Sequence, residues 1–430
     1  MLQFIKEIDP RRNPLSSLYF VLILFGIPYN LFNNSGYDGN TVWNIGDWLI
    51  SYEGGFVRRG LPGSIIYTIS SRISVPPIHL IWLFSCLFYL LLAILLWKLC
   101  SKKVSSTLLL SPLILLGPIA DNYLVRKDVM LLTLFAISLA SFRFLQSKAS
   151  PRLIRLSVIN ISSTMAILSH ESYGFWALPA LAASIYFAND NKKKNSRLRS
   201  LRKAILTFIC LSPSIAAFIF CLLFKGSELQ AMTIHESWKE LAELIPSKIA
   251  LFQSTPDGAI GSIGWTTIKG LSMSISTLRS FSLGLWVPAC WMLTIYICFQ
   301  LFVGDKSFKD AELKRQIAFF QFLTLSPLFL LGWDFGRWIF IWITSSVLLY
   351  SFSPVSSKPN IFFIYRMDTL NHLLLKLFPG ISLEGNRRRL MLFFGIPHCC
   401  WTVGRFLTST PIGYSVKLSI AFFTALTHLI

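Results

Sequence analysis

Long apolar segments separated by short polar loops follow one another along the whole 430-residue chain. A helix that crosses the hydrocarbon core of a bilayer needs about 20 apolar residues. The pattern therefore predicts an all-α fold, a polytopic transmembrane helix bundle of roughly 10–12 spans, with residues 1–430 in a single integral membrane domain. The candidate spans are residues 15–32, 77–97, 104–119, 129–146, 154–169, 173–189, 204–224, 282–303, 316–332, 338–353, 389–404 and 411–429.

Four segments depart from this simple pattern. Residues 104–119 and 154–169 are short, and we expect them to end below the membrane surface beside a protein-lined cavity, the only place where non-helical backbone is tolerated at that depth. Residues 236–252 and 361–378 carry an apolar stripe and predict amphipathic helices lying on the membrane surface. No small-residue cleavage site follows the first span, which is therefore predicted to be a permanent helix.

Lysine and arginine residues are concentrated in alternate loops, with the densest run in residues 192–203. Cytoplasmic loops of membrane proteins are rich in these residues. We therefore expect a multi-pass protein of the cytoplasmic (inner) membrane with both termini in the cytoplasm. The intervening loops then face outward, above all the outer loops 33–76 and 225–281, which carry polar motifs.

Composition excludes the main soluble classes. Charged residues make up 14% of the chain, against about 25% in soluble domains. The net charge of +20 does not indicate nucleic-acid binding, because the basic residues are scattered between apolar spans. The 8 cysteines lie mostly in apolar segments without the spacing of a zinc site, which predicts buried thiols.

Four polar clusters interrupt the apolar pattern, and the predicted topology places all of them on the outer side. Charged residues at helix ends within a bundle are costly, so they are candidates for a functional site. Because the clusters follow different helices, a bundle can bring them around one outward-open cavity. They are residues 46–63 with Asp47, Glu53, Arg58 and Arg59; residues 121–128 with Asp121, Arg126, Lys127 and Asp128; residues 169–172 with His170 and Glu171; and residues 332–338 with Asp334 and Arg337.

Each cluster also has a purely structural interpretation, and these alternatives stay open at this point. Arg58 and Arg59 could be ordinary basic residues at the membrane interface, and Arg126 and Lys127 could form a self-neutralising surface network with Asp121 and Asp128. His170 and Glu171 could be a pair at a helix end, and Asp334 and Arg337 could form a local salt bridge.

The residue types nevertheless suit one chemistry. Guanidinium forks match phosphate oxygens bidentately, and a carboxylate or imidazole can take a proton from a sugar hydroxyl. We therefore expect Glu53 or His170 to act as the general base, and Asp47 or Asp334 to orient groups or bind a divalent ion. We predict no cofactor, and the sequence does not indicate whether the site depends on a divalent metal ion. The predicted substrate-binding residues are Arg58, Arg59, Arg126, Lys127 and Arg337.

These features resemble the bacterial envelope-polysaccharide membrane enzymes, most closely the Wzy/EpsG-type polymerases within the GT-C-like glycosyltransferase group. SHES at 169–172, followed by FWALPAL, resembles the family's histidine before an apolar helix, and NYLVRKD at 122–128 resembles its arginine-bearing turn. Asp47 and Glu53 resemble the GT-C catalytic acid of the first outer loop, whereas YEGGFVRRG has no counterpart among the polymerase motifs.

The leading hypothesis is thus a glycosyltransferase or polysaccharide polymerase that uses polyprenyl (di)phosphate-linked sugars on the outer face of the membrane. Its predicted partners are that lipid-linked substrate, the bilayer and polysaccharide-assembly proteins, with no nucleic acid. One alternative is a transporter or flippase of lipid-linked sugar, which would place polar residues in broken helices at mid-membrane and often show inverted repeats. Another is a non-catalytic partner in polysaccharide assembly.

Overall fold

The computed structural model describes residues 9–33, 39–145, 152–188, 197–241, 256–305, 311–352 and 383–427. In these ranges the secondary structure is helical with no strand, which confirms the predicted all-α class. The α-helices are α1 (Pro14–Asn33), α2 (Gly39–Trp48), α3 (Gly60–Ile73), α4 (Pro77–Cys100), α5 (Ser106–Leu110), α6 (Gly117–Ala120), α7 (Asp128–Leu145), α8 (Arg152–Ser169), α9 (Ser172–Ala188), α10 (Arg197–Leu223), α11 (Glu228–Lys239), α12 (Gly258–Gly261), α13 (Thr267–Ser280), α14 (Val287–Val303), α15 (Ala311–Leu331), α16 (Phe335–Phe352), α17 (Leu383–Phe393), α18 (Val403–Thr408) and α19 (Pro411–Thr427).

Five segments in the described part of the chain are long and apolar enough to cross a membrane, and they lie in α1, α4, α10, α14 and α16. Helix α16 is buried along its whole length and packs against α15 and α7, so it forms the centre of the bundle. Helix α10 instead exposes apolar side chains such as Leu201, Ile205 and Phe208. A helix that is apolar and exposed on one side suits contact with lipid.

Two predicted spans are not continuous helices, and the predictions for 104–119 and 389–404 are wrong in this respect. The first contains only the short helices α5 and α6, separated by irregular backbone around Pro112. The second breaks after α17, where residues 394–402 have no regular structure and include Pro397. Proline lacks the N–H that an α-helix needs in its interior. Both segments are largely buried in protein, the setting in which irregular backbone is tolerated within a membrane.

The predicted outer loops 33–76 and 225–281 contain several helices, among them α2, α3, α11 and α13. Helix α2 is anchored at its end, where Trp48 Nε1 donates to the carbonyl of Val125 and Trp238 Nε1 donates to that of Leu49 at 2.7 Å. Trp238 lies on α11, which begins well before the predicted amphipathic segment 236–252 and ends at Lys239. The other predicted surface helix, 361–378, lies outside the described residues. These contacts hold α2 beside the end of the bundle where α8 ends and where α7, α9 and α16 begin; we call it the polar end.

Candidate functional site

Helix α2 brings the first acidic group into the bundle. Asn44 and Asp47 stand three residues apart and therefore share one helical face. The Asp47 carboxylate is buried, with Oδ2 3.6 Å from Lys127 Nζ and Oδ1 3.7 Å from Arg59 Nη1. Lys127 Nζ also donates to the carbonyl of Ser169 at 3.2 Å. The fully buried Lys127 thus joins the first loop, its own turn and the end of α8.

The Glu171 carboxylate pairs with both arginines of the first loop, Arg58 and Arg59. Arg59 donates from Nε to Oε2 at 2.8 Å and from Nη2 to Oε1 at 2.5 Å, and Arg58 Nη1 lies 3.3 Å from Oε1. Arg59 precedes α3 with φ at 67°, in the left-handed region that non-glycine residues rarely adopt. Backbone strain of this kind costs on the order of 1–3 kcal/mol and persists only where the surroundings impose it. Here the Arg59–Glu171 fork is one such constraint.

Arg337, at the start of α16, is held on three sides by carboxylate oxygens. It donates to both oxygens of Asp128, at 2.7 and 2.8 Å, and from Nη1 to Asp334. Arg126 Nη1 lies 4.0 Å from Asp334, and its Nε donates to Asn44 on α2. The ion pairs form two neighbouring sets, one around Asp47 and Glu171 and one around Arg337, and the turn before α7 supplies members to both. We call the two sets together the ionic network.

The structure decides between some of the structural alternatives. Arg126 pairs with Asp334 and Lys127 pairs with Asp47, acids distant in the sequence, so the self-neutralising surface network with Asp121 and Asp128 is wrong. The local Asp334–Arg337 bridge exists, but it is only one of the contacts that hold Arg337. All four polar clusters contribute at least one side chain to the ionic network.

Glu53 is the predicted site residue that lies apart from this network. It is exposed on the turn between α2 and α3, where its backbone N–H donates to Ser51 Oγ at 3.5 Å. The neighbouring Gly54 carbonyl accepts from Gln230 of α11. The acid that pairs with Arg58 and Arg59 is Glu171. It lies in the polar cluster 169–172, but the sequence pattern predicted no catalytic or binding role for it. Its position directly after His170 was the available signal.

Electrostatics keep the buried groups of the network ionised. Burial is the largest single effect on Asp47 and would raise its pKa, but Lys127, His170, Arg59 and Arg126 together outweigh it, and the pKa falls to about 2. Burial likewise opposes ionisation of Glu171, yet Arg59 and Arg58 hold its pKa well below the usual range. Burial lowers the pKa of Lys127 to about 8, because Asp47 compensates only in part. These groups are therefore charged near neutral pH.

His170 behaves differently from these residues. Burial, with the nearby Arg59 charge, lowers its pKa to about 3, so the ring is neutral at physiological pH. Its Nδ1 accepts a hydrogen bond from the Ser172 N–H at 3.2 Å. A neutral imidazole that accepts at Nδ1 carries its proton on Nε2. His170 therefore offers an Nε2–H donor, and a role as general base does not fit this tautomer.

A second polar cluster lies where the two discontinuous segments meet. The Asp121 carboxylate accepts from the His398 backbone N–H at 2.7 Å and from Arg405 Nη1 at 3.0 Å. The rings of Tyr123 and His398 lie 5.6 Å apart. Sequence reasoning missed His398 and Arg405, because the apolar residues around them predicted an ordinary span. In the described ranges, no group of three or more His, Cys, Asp or Glu side chains could hold a metal ion.

Comparison with known proteins adds little to the geometry. A family model described as "Uncharacterised membrane protein Rv1490" matches residues 18–225, just under half of the chain. This region contains α1 to α10 with Asp47, Arg59, Lys127 and Glu171, but neither Asp334 nor Arg337. No curated protein and no solved structure matches the chain. The similarity agrees with the apolar helices in indicating a membrane protein, which the fold establishes as an all-α helical bundle.

Proposed function

We propose that this chain is a membrane-embedded glycosyltransferase or polysaccharide polymerase that uses polyprenyl (di)phosphate-linked sugars on the outer face of the cytoplasmic membrane. The observation that carries the proposal is the excess of basic over acidic groups in the ionic network. Its members are Arg58, Arg59, Arg126, Lys127 and Arg337 against Asp47, Asp128, Glu171 and Asp334. A surplus cation at the rim of an apolar bundle favours an anionic substrate.

The five basic residues have different roles in this proposal. Arg59, Lys127 and Arg337 are engaged by buried carboxylates, so they position the network and do not contact the phosphate. Arg58 has one ion-pair contact, at 3.3 Å, and a side chain 22% exposed. Arg126 also has one ion-pair contact, at the 4.0 Å limit from Asp334, with a side chain 10% exposed, and its Nε donates to Asn44. Arg58 and Arg126 are therefore the groups that would bind the phosphates through their remaining N–H donors.

Asp47 supplies the carboxylate for the transfer step. Its Oδ1 is buried and accepts no hydrogen bond, although Arg59 lies 3.7 Å away. With its low pKa it stays ionised, so it can stabilise the positive charge of an oxocarbenium-like transition state and take the proton of the acceptor hydroxyl as that oxygen bonds to the sugar. The bond between sugar and lipid (di)phosphate breaks in the same step, and the (di)phosphate leaves against Arg58 and Arg126. The Nε2–H of His170 is available to donate to a substrate oxygen, whereas Glu53 has no contact with the ionic network.

The test is polymer output in a deletion strain complemented with variants, with membrane levels of the protein as a control. We expect Asp47→Asn to reduce the output about 100-fold or more. Arg58→Lys and Arg126→Lys should each reduce it about tenfold or more, because a lysine lacks the planar fork. The matched control is Arg72→Lys, at an exposed position in α3, which should leave output unchanged. Normal polymer from all the site variants would contradict the proposal.

One observation favours a second candidate, a flippase of lipid-linked sugar. The two discontinuous segments meet at Asp121, His398 and Arg405, and broken helices with polar groups are typical of transporters. Detergent micelles separate the candidates, because they have no two sides. A glycosyltransferase transfers labelled sugar from its lipid carrier in micelles, whereas a flippase forms no product there and moves a fluorescent lipid-linked sugar across proteoliposome membranes.

A further inference from the structure

At the polar end of the bundle, Trp43 packs against two other tryptophans, Trp265 and Trp333. The ring of Trp43 is 6.2 Å from that of Trp265 and 6.1 Å from that of Trp333, with interplanar angles of 74° and 86°. The three come from α2, from the short turn after α12 and from the loop before α16. All three are partly exposed, so they border an open surface and are not buried in the core.

This tryptophan cluster adjoins the ionic network through immediate chain neighbours. Asn44 follows Trp43 and accepts from Arg126, and Asp334 follows Trp333 and lies 4.0 Å from the same arginine. Trp43 and Asp47 stand four residues apart, so one face of α2 carries an aromatic ring and the buried Asp47 carboxylate. Arg126 therefore lies between the residues that follow two of the three tryptophans.

We propose that Trp43, Trp265 and Trp333 form the subsite for the sugar ring that is attached directly to the phosphate of the lipid carrier. The inference rests on the proposed function. The face of an aromatic ring is electronegative, and the C–H groups on one side of a pyranose carry partial positive charge, so the two stack favourably. With the phosphate on Arg126, the first sugar lies beside Trp43 and Trp333, because the residues that follow them, Asn44 and Asp334, contact that arginine.

An ordinary interfacial role is the competing explanation, since tryptophans are enriched where a membrane meets water. Anchoring tryptophans lie around the perimeter with their rings against lipid headgroups. This cluster differs in that three rings from distant parts of the chain pack edge to face and border the charged groups of the network. Trp286 is a contrasting case. It is 74% exposed in the short turn before α14, and in the described part of the chain no other aromatic ring packs against it.

The experiment measures equilibrium binding to the purified full-length protein in detergent. The probes are polyprenyl phosphate and polyprenyl-phosphoryl glucose of equal chain length. We expect the wild-type protein to bind the sugar-bearing lipid about tenfold more tightly than the bare phosphate. Trp43→Leu and Trp333→Leu should abolish that preference while leaving the affinity for polyprenyl phosphate unchanged. Trp43→Phe, which keeps an aromatic face, should retain part of it, and Trp286→Leu should retain all of it.

The possible failures are distinguishable. If the wild type binds neither probe, the phosphate site and with it the proposed function are refuted. If it binds both probes equally, or if the leucine variants keep the preference, the tryptophan subsite is refuted and the phosphate site stands. If the leucine variants lose affinity for both probes alike, the tryptophans serve the fold or the membrane and do not recognise the sugar.

Discussion

The buried pair between Arg337 and Asp128 gives the sharpest test of how the polar end is held together. Both side chains are only 4% exposed, so water screens their attraction little. Arg337 makes two charge-assisted hydrogen bonds to Asp128 and one to Asp334. Charge-assisted bonds contribute about 1.5–3 kcal/mol each. In Asp128→Asn one amide oxygen still accepts a hydrogen bond, so we expect a net loss of about 3 kcal/mol in the free energy of unfolding.

The measurement is the apparent melting temperature of the purified protein in detergent, which should fall by about 3 °C for a chain of 430 residues. The control is Glu312→Gln, which removes an exposed ion pair with Arg315 and should change little. The double variant Asp128→Leu/Arg337→Met should regain most of the lost stability, because a buried ion pair can be replaced by apolar side chains at small cost. If Asp128→Asn melts like Glu312→Gln, the pair does not hold the site and Arg337 is free for substrate after all.

Three further predictions follow from the same geometry. The folded-state pKa of Asp47 is lowered from 3.8 to about 2, so its ionised carboxylate contributes fully to the free energy of unfolding above pH 3.8. This contribution is lost as the pH falls toward 2. Stability measured against pH in this range should show the slope in the wild type but not in Asp47→Asn. Since His170 is already neutral at physiological pH, His170→Gln should leave the shape of the pH–activity profile between about pH 5 and 8 unchanged. In Gly336→Ala the new Cβ would overlap the Pro397 carbonyl and should lower stability by about 1–3 kcal/mol in thermal melts, whereas Gly404→Ala, with open space around it, should not.

The amino-acid pattern predicted most of the long helices because a continuous apolar run has few other structures available in a membrane. The described bounds of α1, α4, α7, α9 and α16 lie close to those expected. Hydropathy could not reveal the breaks near Pro112 and Pro397, because the irregular residues around them are as apolar as the helices. What distinguishes them is burial on all sides, and burial is a property of the packed bundle.

The sequence predicted which clusters of residues form the candidate site, but it could not predict which side chains pair with each other. Lys127 meets Asp47 across 80 residues of sequence, and nothing local favours that partner over Asp121 or Asp128. Glu53 and Glu171 follow similar short polar motifs, yet one lies exposed on a turn and the other lies between two arginines. The tautomer of His170 depends on the Ser172 amide, a contact that exists only because α9 begins at that residue.

Burying many charges at the polar end is energetically unfavourable for the fold, and this cost bears on function. A buried ion pair contributes little to stability on balance, because desolvation of the two charges offsets their attraction. Apolar residues of similar size would serve a bundle of this kind at least as well. The described residues nevertheless combine buried charges there with two of the three positive-φ non-glycine residues, Arg59 and Asn122. Strain and buried charge in the same place have no advantage for packing. They are expected where a protein holds polar groups in fixed positions for a substrate. Asp47, whose Oδ1 accepts no hydrogen bond, and Arg58 and Arg126, each with a single ion-pair contact, are such groups.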